Sequence, residues 1–161
     1  MTDTFSAEGG CSCGKVRYRM NNSPLFVNCC HCRWCQRETG SAFALNAALE
    51  SSELELLSGE TERVELSSES GKGQAVIRCP DCKIAVWSHY ASAGDATSLI
   101  RVGSLDNPDL LPPDVHIYTE SRQPWVQSSD GKPEFEQFYD PREIWPAESL
   151  ERYMAMLSKS G

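Results

Sequence analysis

Seven of the eight cysteines in this chain fall into three tight clusters: Cys11-Ser12-Cys13, Cys30-His31-Cys32-Arg33-Trp34-Cys35 and Cys79-Pro80-Asp81-Cys82. Thiolates one or two residues apart can turn their sulfurs toward one point, as a tetrahedral Zn²⁺ requires. They are poorly placed to form disulfides with each other, because a disulfide fixes the Cα separation and the opposition of the Cβ vectors. The count is also uneven. Four thiolates close one zinc site, and the remaining three leave a second with an open position. Closed sites are usually structural, whereas three-ligand sites with a vacancy are usually catalytic or ligand-binding. Pairing Cys11/Cys13 with Cys79/Cys82, 66 residues further on, would staple remote parts of the chain together.

Free thiols at this density suit a reducing compartment, where cysteine clusters mean metal more often than disulfide. The N-terminus lacks the basic and apolar regions of a secretory signal, and no window of about 18 residues is apolar enough to span a bilayer. A cytoplasmic protein is therefore expected. Fifteen Lys+Arg against 23 Asp+Glu give a net charge of −8. That balance argues against nucleic acid and anionic membranes, whose binding needs clustered cations. A length of 161 residues fits one domain spanning residues 1–161.

Strand-length segments recur between turn signals. Lys15–Met20 alternates polar and apolar residues, the period of a half-buried strand. Further strands are expected at Leu25–Val27, Ala42–Leu49, Glu53–Leu57, Glu62–Leu66, Ala75–Arg78, Ile84–Tyr90, Ser98–Val102 and Val115–Tyr118. No β-α-β rhythm is visible, so the expected class is mainly β and antiparallel. A short helical turn is expected over Arg33–Thr39, stopped by Gly40. A C-terminal helix is expected to open at Pro146, with Leu150, Tyr153, Met154 and Leu157 as its packing stripe. Gln123–Arg142 reads as a long surface loop.

From spacing alone, Cys11/Cys13 could pair with Cys79/Cys82 or with two members of the triad, and a single metal with the other thiols merely buried stays open. The motifs, however, resemble a known family. Gly9-Gly10-Cys11-Ser12-Cys13-Gly14-Lys15-Val16-Arg17-Tyr18, Cys30 through Phe43, Arg78-Cys79-Pro80-Asp81-Cys82, Val115-His116-Ile117 and Pro124-Trp125 are similar to the glutathione-dependent formaldehyde-activating enzymes. That family shares its fold with a centromere protein. The resemblance implies a mainly β, zinc-stapled β-tent with a short C-terminal helix. It implies two Zn²⁺ per chain, one structural on Cys11, Cys13, Cys79 and Cys82, the other on Cys30, Cys32 and Cys35, where the sulfur of glutathione acts. The reaction implied is addition of glutathione to formaldehyde, classed as a carbon–sulfur lyase for the reverse direction. Two residues depart from the pattern: Lys83, where the family usually has Gly, and the extra thiol Cys29.

Charge counting agrees with thiol chemistry. Zn²⁺ with three thiolates is formally −1, a poor Lewis acid beside a three-histidine site, but borderline-soft and able to lower the pKa of a fourth thiol. An anionic thiol in a −8 protein needs local positive charge, and Arg33 and Arg37 are the candidates nearest the triad in sequence. His31, flanked by two ligands, is expected to point away from the metal. Cys29 is expected to be a buried spectator and His116 a structural residue. Thr39 and Ser41 either meet substrate or cap the turn at Gly40. No Ser-His-Asp arrangement or phosphate loop appears. Two function classes follow: an enzyme joining a thiol to an aldehyde, or a zinc-stapled thiol carrier or protein-binding module without turnover.

Overall fold

The computed structural model describes residues 4–161. Strands β1 (Ala7–Gly10), β2 (Arg17–Met20) and β5 (Leu54–Ser58) form an antiparallel sheet in the order β1-β2-β5. The second sheet comprises β3 (Phe26–Cys30), β4 (Ala44–Glu50), β6 (Glu62–Leu66), β7 (Gln74–Arg78), β8 (Ala85–Tyr90), β9 (Thr97–Arg101) and β10 (Val115–Ile117). Its order is β10-β3-β4-β9-β8-β7-β6. Helices α1 (Arg33–Thr39), α2 (Pro141–Ile144) and α3 (Ala147–Ser160) complete the frame. The mainly β class and the C-terminal helix are as the sequence indicates, and the expected strands recur with ends shifted by at most three residues, the largest shift being β3, which runs on from Val27 to Cys30.

Three features depart from expectation. The edge strand β10 runs parallel to β3, with Val115 opposite Asn28, so the large sheet is mixed. A three-residue apolar strand carries no signal of direction. Strand β1 went unread because Glu8-Gly9-Gly10 lacks strand-forming side chains. Gly9 is there for space: a Cβ on it would lie 2.6 Å from the Ser104 carbonyl oxygen and 2.6 Å from the Tyr18 hydroxyl. Helix α3 is the third. Met154 is 61 % exposed and Leu157 38 %, whereas Ser149 is buried and Arg152, Tyr153 and Met156 are partly buried. The docked face is thus rotated from the apolar stripe, because Arg152 is drawn to the buried Glu50. Its Nε and Nη2 donate to Glu50 Oε1 at 2.8 Å and Oε2 at 2.7 Å, and Nη2 also donates to the Ser23 carbonyl at 2.9 Å.

Side-chain alternation gives the large sheet two distinct faces. On one, Val27, Ala47, Leu49, Ile77, Trp87 and Ile100 join Val16, Tyr18 and Met20 of the small-sheet segment in the larger core, which also contains Cys11 and Cys79. The other face carries Phe26, Cys30 and Ala44. These pack with Cys32, Cys35, Val115, Ile117 and Tyr139, flanked by Phe135, Ile144 and Trp145. Each core therefore contains its own cysteine cluster.

Candidate functional site

Two tight turns build the four-cysteine cluster. Between β1 and β2 the Cys11 N–H donates to the Val16 carbonyl at 3.1 Å, and the Gly14 N–H returns to the Cys11 carbonyl at 3.2 Å. Between β7 and β8 the Cys79 N–H donates to the Ile84 carbonyl and the Lys83 N–H to the Cys79 carbonyl, both at 3.0 Å. The residue after each second cysteine is left-handed: Gly14 at φ 80° and Lys83 at φ 63°. The usual glycine preference at Lys83 is thus a real conformational demand, and a lysine meets it at a steric cost of roughly 1–2 kcal/mol. Lys83 Nζ pairs with Glu62 at 2.9 Å, and Lys15 Nζ bridges to Asp81 at 3.0 Å across the two turns.

The sulfurs meet as a metal would require. Cys11 Sγ lies 3.5 Å from Cys13 Sγ, which lies 3.7 Å from Cys79 Sγ. Zn–S bonds of about 2.3 Å at tetrahedral angles put sulfurs roughly 3.8 Å apart. Cys82 completes the set, all four sulfurs lying within 4.8 Å of one another. The Val16 N–H donates to Cys11 Sγ at 3.3 Å, a backbone bond that favours the thiolate. The Cys82 thiol is lowered to about 6, chiefly by the backbone N–H of Ile84. The donor set fits a closed zinc centre, and it joins the small sheet to the large one.

Cys30, Cys32 and Cys35 converge separately, again within 4.8 Å and all buried. Cys30 ends β3. Cys32 caps α1, its Sγ accepting the Cys35 N–H at 3.3 Å. Cys35 follows one turn on. The Cys32 thiol is lowered to about 3, first by hydrogen bonds from Cys30 and Cys35 and then by the backbone N–H groups of Cys35 and Trp34. Its neighbours move the other way: contact with Cys32 and burial raise Cys30 well above the usual thiol range. Three thiols forced together share one negative charge until a cation joins them, so this set too fits zinc, with three ligands.

The alternation of β3 settles where Cys29 goes. Cys30 faces the triad, so Cys29 faces the other way, with His116 as its neighbour on β10. Cys29 Sγ lies 3.6 Å from His31 Nε2, which lies 3.0 Å from His116 Nδ1, and His116 Nε2 meets Asp130 Oδ2 at 2.8 Å. These groups also lie close enough to hold an ion. The two imidazoles are nevertheless already each other's hydrogen-bond partners, and the chain from Cys29 to Asp130 ties β3 to β10 and the 123–142 loop. Burial pushes the Cys29 thiol up to about 12, as befits a spectator. His31 and His116 take no part in the triad.

Arg33 and Arg37 are exposed and do not line the cavity beside the triad. Thr39 Oγ1 donates to the Cys35 carbonyl at 2.8 Å and accepts the Ser41 N–H at 3.2 Å, so the Thr39 hydroxyl caps the turn. The cations come from elsewhere. Arg101 on β9 is buried, hydrogen-bonded to Asn46, and near enough to act on the Cys35 thiol. Lys72 reaches in from the β6–β7 loop. Neither is legible in the sequence, because both are remote from Cys30, Cys32 and Cys35 along the chain.

Cys30 and Cys32 open onto a cavity of about 410 Å³. Asn28, Asn46, Ala48, Tyr90, Thr97, Leu99 and Ile117 of the large sheet line it, the β6–β7 and β8–β9 loops contribute Glu69, Ser70, Lys72 and Ser92, and Phe138, Pro141, Trp145 and Tyr153 come from the C-terminal segment. The four-cysteine cluster has no part in this cavity. Among the described residues, no helix is long and apolar enough to cross a membrane.

A crystal structure of a Rhodobacter sphaeroides protein aligns with 80 % of this chain and 99 % of its own, at 16 % identity and a TM-score of 0.45. No curated protein sequence matches. The family profile of the glutathione-dependent formaldehyde-activating enzyme matches residues 6–121, a span holding both cysteine clusters. The chain belongs to the glutathione-dependent formaldehyde-activating enzyme family.

Proposed function

We propose that the protein is a zinc-dependent carbon–sulfur lyase/synthase that joins glutathione to formaldehyde or a related aldehyde, using two zinc ions per chain. One would be held by Cys11, Cys13, Cys79 and Cys82, the other by Cys30, Cys32 and Cys35. The observation that carries the reading is the asymmetry of the clusters. Four thiols close on themselves, while two of the other three, Cys30 and Cys32, open onto a cavity large enough for a tripeptide thiol.

Bound zinc would lower the pKa of an incoming thiol and hold its sulfur as the nucleophile. Cys30, Cys32 and Cys35 fix where that sulfur stops. The buried guanidinium of Arg101 offsets negative charge at the triad, and Lys72, the one basic side chain lining the cavity among the described residues, would meet a carboxylate of glutathione. In the synthetic direction the sulfur forms a bond to the carbonyl carbon, the carbonyl π pair moves to oxygen, and that oxygen takes a proton from solvent, replacing the one the thiol released on binding. The reverse step returns aldehyde and thiol. A reducing cytoplasm supplies both the thiol and the free cysteines.

Elemental analysis of protein purified without added metal should give two zinc ions per chain. Calorimetry in two buffers of different ionisation enthalpy should show proton release as glutathione binds, and S-methylglutathione should bind far more weakly. Exchange spectroscopy should then show thiol–aldehyde exchange faster than the spontaneous rate. Glutathione binding without acceleration would leave a thiol carrier. No proton release, or equal affinity for the two ligands, would remove the triad from thiol activation.

A further inference from the structure

We infer that the aldehyde used by this chain carries a bulky apolar, aromatic-class substituent, gripped between the large sheet and the C-terminal segment. The inference rests on the proposed thiol–aldehyde reaction and concerns which aldehyde takes part. The cavity beside Cys30 and Cys32 measures about 410 Å³, within the roughly 300–1,000 Å³ of sites that enclose many-atom ligands. Formaldehyde has no atoms with which to reach its walls.

Those walls have two sources. Polar groups suited to a peptide thiol, Asn28, Asn46, Ser70, Lys72 and Thr97, all lie within residues 6–121, the span of the family match. Phe138, Pro141, Trp145 and Tyr153 all lie beyond residue 121, so the aromatic cover stands outside the span of the family match. Among the described residues, Lys72 and Glu69 are the only charged ones lining the cavity, and they sum to zero. The aromatic side therefore offers no counter-ion to glutathione's two carboxylates. It suits an uncharged, flat partner, which gains offset or edge contacts from such rings.

The cover is also preorganised. Trp145 stacks on Phe26 with centroids 5.7 Å apart and an interplanar angle of 24°. Its Nε1 donates to the Tyr139 hydroxyl at 2.9 Å, which donates to Asn28 Oδ1 at 2.6 Å. Tyr153 meets Trp145 edge-on at 5.4 Å, and Arg152 beside it is clamped by Glu50. Phe138 stacks on Tyr139 at 4.4 Å and is 52 % exposed, at the edge of the cover. Rings held this way before a ligand arrives lose little freedom on binding it.

The bond changes are those already given, with benzaldehyde in place of formaldehyde and no further reactant. Two measurements on the zinc-loaded protein test the inference. In the first, calorimetry compares S-benzylglutathione with S-methylglutathione. Both lack the thiol proton, so their difference isolates the apolar group. S-benzylglutathione should bind at least about tenfold more tightly, and Phe138→Ala and Trp145→Ala should each close most of that gap. Phe138→Ala removes a half-exposed ring and keeps the test valid if Trp145→Ala loosens the fold. In the second, acceleration over the spontaneous rate is compared for benzaldehyde and formaldehyde. Benzaldehyde should be favoured, and the variants should lower that preference by about tenfold. Equal binding of the two thioethers, or acceleration of formaldehyde alone, overturns the inference and leaves the proposed reaction standing. No acceleration with either aldehyde overturns the reaction and the inference with it.

Discussion

Replacing Arg152 with methionine should loosen the C-terminal cover of the cavity by removing its main polar anchor. The Arg152 and Glu50 side chains are 18 % and 10 % exposed, so their attraction is only partly screened. The contact is a two-point fork, at 2.8 Å and 2.7 Å, with a third bond to the Ser23 carbonyl. Removing one partner of a buried pair typically costs about 3–5 kcal/mol, because the remaining charge is left uncompensated. Residual solvent access moves this pair toward the lower end, and the lost bond to Ser23 adds about 1 kcal/mol. Methionine keeps most of the aliphatic stem, so little of the change is lost packing. The expected destabilisation is about 4 kcal/mol, read as a lower midpoint in urea unfolding. Amide exchange should quicken first in α3. The double variant Arg152→Met/Glu50→Met should recover most of the loss, since an apolar pair needs no compensation. A loss under about 0.5 kcal/mol for the single variant, or a double variant as unstable as the single, would refute the buried-pair reasoning.

Three further outcomes follow from the site and the core. Cys79→Ser should unfold the protein, because a structural zinc site contributes on the order of 10 kcal/mol against a total stability of about 5–15 kcal/mol. Cys32→Ser should lose the second metal with the circular dichroism spectrum retained, and equal unfolding of both variants would refute the division of roles. At Lys83, glycine should be more stable than alanine by about 1 kcal/mol, because both lose the Glu62 pair and only alanine keeps the left-handed strain; equal thermal midpoints would contradict this. Burial raises the Tyr18 phenol from 10.0 to about 12. Its neutral form is thus favoured in the folded state, and that stability is intact below pH 10 and lost as pH rises toward 12. Tyr18→Phe should flatten this alkaline decline, which urea titrations at pH 9 and 11 would detect.

Short-range features were legible in the amino-acid order. Side chains alternate every two residues along a strand, so Glu62–Leu66 could be read directly and neighbouring strands nearly so. The spacing Cys30, Cys32 and Cys35 already brings three sulfurs together through one strand end and one turn of helix, and the two remaining pairs each form a chelating turn. Gly14 marks the left-handed position after Cys13, whereas Lys83 hides the same backbone demand after Cys82. What the sequence could not specify depends on which remote strands become neighbours. β10 lies parallel beside β3, and that placement brings His116 to Cys29 and Ile117 to the triad's cavity. The faces of β3 separate Cys29 from Cys30 although they are adjacent in the chain. Arg101, far from the triad in sequence, supplies its positive charge and Lys72 that of the cavity, while Arg33 and Arg37, nearest in sequence, are exposed. Helix α3 turned from its apolar stripe because the buried charge of Glu50 demanded a partner, and burying an unpaired carboxylate would cost more than leaving Met154 and Leu157 exposed. Periodicity and ligand spacing are local and survive in the linear sequence; the cavity's walls and charge come from contacts between distant segments, which only the packed sheets decide.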